Sequence, residues 1–328
     1  MKPLATLSAL GGIAASCLAL TCSLVAAAQS KSTRAEGTWS TKASLLTQRT
    51  EVAVAELDGK IYVLGGTALG KTASPLNQEY DPAAERWRDC APIPQGTSHA
   101  GVAGNNGKIY VIGGFTANVH VGALDKVFEY DVSTDTWRQL PPISSPRGSV
   151  GAAVVGGKIH AIGGRGLDKV TVATHEVYDP STGKWSQAAP LPTARDHMGV
   201  IVVDGKIHVI GGRTADTTDN TNLHDVYDPA TNSWQSAAPL STARSSGAAA
   251  YYHGLILYAG GECKAGNTFS ENEGYDAKTN RWLTLAPLPM GRHAFAAAAV
   301  GQYAYFVGGA LGCGGGSPSD QMLAFRLP

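Results

Sequence analysis

The chain has 328 residues with 26 Lys+Arg against 26 Asp+Glu, so no net charge draws it to nucleic acid or to an anionic membrane. Its 40 glycines, its short apolar runs and the lack of a sustained stripe at helical period exclude a helical bundle. What remains is a glycine-punctuated β protein in which local charge placement is the electrostatic clue.

From the N-terminus, residues 1–28 carry one early cation, Lys2, then an apolar run, then Ala26-Ala27-Ala28 before Gln29. This is the build of a secretory leader, with an uncleaved anchor as the alternative. Residues 1–28 are therefore set aside from the fold and 29–36 taken as a short linker. The protein is expected to be exported, to the periplasm or beyond the cell, with no membrane span once the leader is removed. Cleavage takes Cys17 and Cys22 and leaves Cys90, Cys263 and Cys313, enough for one disulfide and one free thiol in an oxidising compartment.

From residue 37 onward one pattern recurs. "GKIYVLGG" at Gly59–Gly66 returns as "GKIYVIGG", "GKIHAIGG" and "GKIHVIGG", with looser copies ending at Gly261 and Gly309. The first glycine of each pair falls at 65, 113, 163, 211, 260 and 308, and the six tryptophans at 39, 87, 137, 185, 234 and 282. Each Trp precedes the next Gly-Gly by 26 residues, and a Tyr stands seven residues before every Trp but the first. All length variation lies between Gly-Gly and Tyr.

Each unit reads as four strands. The first is small-residue-rich ("VAVAEL", "GAAVVG", "GVIVVD", "AAAAVG"). The second is the recurring motif, reached through tight turns at Asp58, Asn106, Gly156 and Asp204. The third ends in the Tyr, and the fourth begins at the Trp after turns such as "DPSTGKW". A sheet of this size cannot bury both faces alone, so copies must stack. The last unit lacks a Trp-bearing strand, because the chain ends at Pro328, whereas Trp39 has no Gly-Gly or Tyr before it. The two ends complement each other in a six-bladed all-β propeller of four-stranded antiparallel blades, closed by the N-terminal strand joining the last blade over 37–328. Gly-Gly, then Tyr-Asp, then Trp resembles the kelch repeat. That resemblance implies a propeller but leaves use open, since kelch propellers serve as binding platforms and as enzyme scaffolds.

Function must then come from what the frame positions. No helix follows the glycine pairs, so they serve backbone geometry and close packing rather than phosphate binding. The variable loops and the turns leading into the innermost strands share one face, where binding usually lives. Ten residues after each Trp stand Arg49, Arg147, Arg195, Arg244 and Arg292, with Thr97 and then His99 in the second unit. Two readings follow: a ring of guanidinium groups that binds an acidic peptide or acidic glycan, or arginines that hydrogen-bond loop carbonyls of the next blade. Asp196, His197, Glu51 and Glu262 lie on the same rim, as acid–base groups or as solvated charges.

His160 and His208 replace the motif tyrosines and are expected to be packed aromatics. Cys263 and Cys313, in variable loops of neighbouring units, are placed for a disulfide, and Cys90 for a buried thiol. No GxSxG, HExxH or CxxC spacing occurs, so no metal, cofactor or catalytic residue is expected and the chain is expected to be monomeric. The sequence thus favours a non-enzymatic exported platform. Its alternative is a periplasmic carbohydrate-active enzyme similar to the kelch mutarotase that acts on sialic acid, although loops of only 15–17 residues from Gly to Tyr offer little for a lid.

Overall fold

The computed structural model describes residues 36–68, 72–117, 120–263 and 266–328. The expected leader, 1–28, and all but the last residue of the expected linker lie outside them, and no described helix is long and apolar enough to cross a membrane. Six four-stranded antiparallel sheets follow one another in chain order. In the first blade the strands are Ala53–Leu57, Lys60–Leu64, Asn77–Asp81 and Arg86–Asp89, paired side by side in that order. The sixth blade draws three strands from the C-terminus (Ala296–Val300, Tyr303–Val307, Met322–Arg326). Its fourth is Thr38–Lys42, with Trp39 opposite Phe325.

The small-residue strands are innermost, as their composition requires. The walls of a central channel of 470 Å³ are built from such strands, including Gly101–Asn105, Gly151–Val155 and Gly199–Val203. Outward from it, the apolar faces of adjacent sheets close on each other in six separate cores. Leu57 and Tyr62 of the first blade meet Ile109 and Tyr130 of the second, and Val63 and Tyr80 of the first meet Tyr305 and Ala324 of the sixth. One core per blade pair is what a closed ring of sheets needs, because no blade buries both faces by itself.

Two recurring residues stitch these cores. Each Trp donates its indole N–H to a carbonyl of the preceding blade: Trp137 to Ala91 O at 2.8 Å, Trp185 to Pro141 O at 2.9 Å, and Trp39 to Ala286 O at 2.9 Å. The second glycine of each pair donates its backbone N–H to the carbonyl of the lead-in arginine (or Thr97) of the next blade at 2.9–3.0 Å, including Gly309 to Arg49 across the closure. The first glycine shows why no side chain is tolerated. At Gly113 the backbone is left-handed (φ 61°), and a Cβ would lie 2.3 Å from Arg147 O. The glycines thus serve packing, as the sequence suggests.

Candidate functional site

Every blade's lead-in turn runs to the same mouth of the channel, and the five arginines stand at its start. All five are 0% exposed. Arg195 donates to Gly211 O (3.1 Å), Leu223 O (3.2 Å) and Asp225 Oδ2 (2.5 Å). Arg147 pairs with Glu176 and Arg244 with Glu273 in the same way, whereas Arg49 and Arg292 bond the neutral Gln78 and Gln321. Burial without a directly bonded carboxylate pulls the last two down to about 10. Against the expected guanidinium ring, the side chains of Arg49, Arg147, Arg195, Arg244 and Arg292 are buried inside the blades and not displayed at the mouth. They bond carbonyls, but of their own blade, where the other reading placed them on the next.

The second blade confirms the reason. Thr97 Oγ1 donates to Gly113 O at 3.0 Å, replacing the missing guanidinium bond, and Phe128 stands where Gln78, Glu176, Asp225 and Glu273 stand relative to their tyrosines.

The mouth itself is formed two residues further on. Glu51, His99, Ser149, His197, Ser246 and Ala294 all adopt left-handed backbone, φ 52–56°. Backbone bonds link them round the axis: Glu51 N–H to Ala294 O, His99 to Glu51, Ser149 to His99, Ser246 to His197 and Ala294 to Ser246, at 2.7–3.2 Å. Left-handed conformation at a non-glycine residue is uncommon and here turns each side chain to one small cavity of 120 Å³. His99, placed by the sequence at a binding rim, does line this cavity.

Loop residues complete the cluster. In the second blade the Gly-Gly–Tyr loop forms a small hairpin, Phe115–Ala117 with Val121–Ala123, and His120 lies between those strands. His99, His120 and His197 face one another with ring centroids 5.0–5.2 Å apart. Glu51 lies 3.1 Å from His99 Nε2, and Asp196 bonds His197 Nδ1. Arg213 crosses the group, with Nε 3.2 Å from Asp196 Oδ1, one terminal nitrogen 2.7 Å from Glu262 Oε2 and the other 3.1 Å from His197 Nε2. Arg165 and Thr171 hold the other Asp196 oxygen, at 3.3 and 2.9 Å.

Burial by itself pushes Glu51, Asp196 and Glu262 up. The surrounding imidazoles, and Arg213 beside the last two, overcome it and hold all three below the usual carboxylate range. His120 is driven down to about 2, first by burial and then by the positive charge of its neighbours. His197 is lowered by burial and Arg213, against the pull of Asp196. The mouth therefore gathers carboxylates, imidazoles and guanidinium groups into one electrostatically coupled set, able to bond a polar ligand or shuttle a proton.

Sequence reading named Glu51, His99, Asp196, His197 and Glu262 for this rim but missed His120, Arg165, Arg213 and His293, whose Nδ1 lies 3.9 Å from Glu262 Oε1. The first three lie in the length-variable loops, where the repeat ruler stops applying. His160 and His208 are buried in the blades, each bonded to a second histidine, His175 (2.8 Å) or His224 (2.9 Å). The structure joins Cys263 to Cys313, with Cα atoms 5.5 Å apart, and Cys90 is a buried free thiol.

Sheet order, channel and mouth together define a six-bladed, repeat-built β-propeller with one ionisable channel mouth. The chain belongs to the kelch-repeat family: residues 48–94 and 96–144 match the Kelch motif, and residues 146–309 match the KLHDC2/KLHL20/DRC7 Kelch-repeats domain. Among solved structures it is similar to that of YjhT, at 18% identity and a TM-score of 0.75 over 87% of this chain and 99% of that one, a likeness of fold. No curated protein matches it.

Proposed function

We propose that this protein is an exported binding platform whose partner sits over the channel mouth. The observation that carries this reading is the placement of exposed apolar side chains. Leu46, Val121, Leu167, Val170, Met290 and Leu311, 37–65% exposed, all belong to loops of the mouth face, and among the described residues only Tyr251 and Leu283 are comparably exposed elsewhere. An apolar rim around a polar centre suits a protein segment that buries apolar side chains and anchors one polar group. With all five guanidinium groups fully buried and bonded within their own blades, attraction to an acidic peptide or acidic glycan has less support than the sequence offered.

Peptides selected on the immobilised protein supply the test. Burying three rim side chains is worth about 1 kcal/mol or more each, so L46S/L167S/M290S should weaken such peptides by at least about 100-fold. Unchanged binding by a folded triple variant refutes the platform.

One observation favours a second reading, an enzyme of the sialic-acid mutarotase type. The pairs Glu51–His99 and Asp196–His197 set two carboxylate-supported imidazoles side by side, with ring centroids 5.2 Å apart, as exchange of a proton at two sugar oxygens would need. Anomer exchange of sialic acid followed by proton NMR decides it. A rate above buffer that falls in H197A supports the enzyme, and a rate equal to buffer excludes it for that sugar.

A further inference from the structure

We propose that His99, His120 and His197 form a site for one divalent transition-metal ion of the zinc class, at the mouth of the channel. One candidate ligand atom from each residue lies within 4.8 Å of the others. His120 Nε2 and His197 Nε2 are 3.3 Å apart. Two nitrogens on a tetrahedral zinc ion at about 2.0–2.1 Å would be separated by about 3.3–3.4 Å, so this pair already has the spacing of coordinating atoms. The three rings form a near-equilateral triangle, with centroid separations of 5.0, 5.2 and 5.1 Å.

The surroundings suit a cation. Metal-bound imidazoles are commonly oriented by a carboxylate on the ring's other nitrogen. Here Asp196 holds His197 Nδ1, which leaves Nε2 facing His120, and Glu51 holds His99 through Nε2. Glu51, Asp196 and Glu262 bring three carboxylates against the two guanidinium groups of Arg165 and Arg213, so a divalent ion offsets a net negative cluster.

Three groups compete for the ring nitrogens: Ser98 Oγ lies 3.1 Å from His99 Nδ1, Ser149 Oγ lies 3.3 Å from His197 Nε2, and the Arg213 NH2 group donates to His197 Nε2 at 3.1 Å. That bond keeps Nε2 free of a proton. When a metal takes its place, Arg213 remains held by Asp196 and Glu262. Three imidazole nitrogens without a thiolate select zinc, copper, nickel or cobalt over calcium or magnesium. The adjoining cavity, where Ser149 and Ser246 also face, leaves a fourth position for water or a ligand atom.

This inference is independent of partner binding, because metal uptake is read on the protein alone. The full chain, dialysed against chelator and then buffer, is titrated with zinc chloride by calorimetry, with bound metal counted by mass spectrometry. One zinc per chain is expected. H120A and H197A should weaken it by at least about 100-fold and E51Q by about 10–100-fold, with H160L/H175N unchanged. Cobalt bound by the wild type should give the intense visible bands of a tetrahedral ion, a reading that needs no variant to fold. Substoichiometric uptake, full uptake by both H120A and H197A, or only the weak bands of six-coordinate cobalt overturns the site.

Discussion

Acid should unfold this propeller through two pairs of buried histidines remote from the mouth. In the third blade Ala189 O can only accept, so His175 Nδ1 carries the proton that reaches it at 3.0 Å. Its bare Nε2 then accepts from His160 Nδ1–H at 2.8 Å. His224 and His208 repeat the chain against Ala238 O in the fourth blade. All four rings are 0–5% exposed. Burial is the first cause that holds His160, His175 and His208 down to about 4 and His224 to about 3, from an ordinary 6.5.

A histidine whose folded value lies below its unfolded value contributes no pH-dependent loss well above 6.5. The loss begins as the unfolded chain takes up protons there, and it stops growing below the folded value, near 4. At about pH 5 the unfolded histidine is nearly all protonated and the folded one nearly all neutral, a loss of about 2 kcal/mol per ring. That figure hardly depends on how far below 4 the folded value lies. Four rings give about 8 kcal/mol, comparable to the whole stability of a typical domain.

The variant H160L/H175N installs the pair already used by the fifth blade, Leu257 and Asn272, whose amide bonds Ala286 O as His175 bonds Ala189 O. Urea unfolding followed by circular dichroism at pH 7.5 and pH 5 should show it losing about 4 kcal/mol less than wild type over that interval. Other titrating groups are common to both proteins and cancel. Equal losses in the two proteins would refute the assignment of neutral, proton-sharing pairs.

Two further outcomes test the frame. Gly113→Ala should cost at least about 3 kcal/mol in urea unfolding, since the new Cβ meets Arg147 O, whereas Gly107→Ala, with nothing within 4 Å, should cost only about 1 kcal/mol of left-handed strain. Arg195→Met strands the buried Asp225 carboxylate and should cost about 3–5 kcal/mol, whereas R195T/D225F, which copies Thr97 and Phe128 of the second blade, should recover most of that loss. If Arg195→Met is neutral to stability but abolishes partner binding, the structural role assigned to that arginine is wrong.

The frame was legible because repetition supplies its own alignment. Trp39 without a preceding Tyr, and Gly309 without a following Trp, are one blade cut at its third loop, and the sheet that pairs Trp39 with Phe325 repairs the cut. Gly-Gly read as close packing for the same reason: a residue needed six times in one role is set by the contact between blades, here the carbonyl of the next lead-in turn. The arginines misled because recurrence was read as display. The sequence held the contrary signal. Gln78, Glu176, Asp225 and Glu273 accompany an arginine, and Phe128 accompanies the one threonine, a correlated exchange that belongs to a buried pair and not to a ligand-facing ring.

The residues that do face the mouth sit two places after those arginines, and there the six units diverge: Glu51, His99, Ser149, His197, Ser246, Ala294. Divergence at a position whose backbone is held at φ 52–56° in every blade has a physical meaning. A left-handed turn at a non-glycine residue is retained at some cost, so the scaffold fixes direction while leaving chemistry to vary. Invariant positions carry the ring, and the strained but variable position beside each of them carries what the ring is used for. His120 and Arg213 could not be placed by that rule, since they enter from loops whose lengths the repeat does not set. Their arrival beside His99 and His197 turns a rim of separate polar groups into one coupled site.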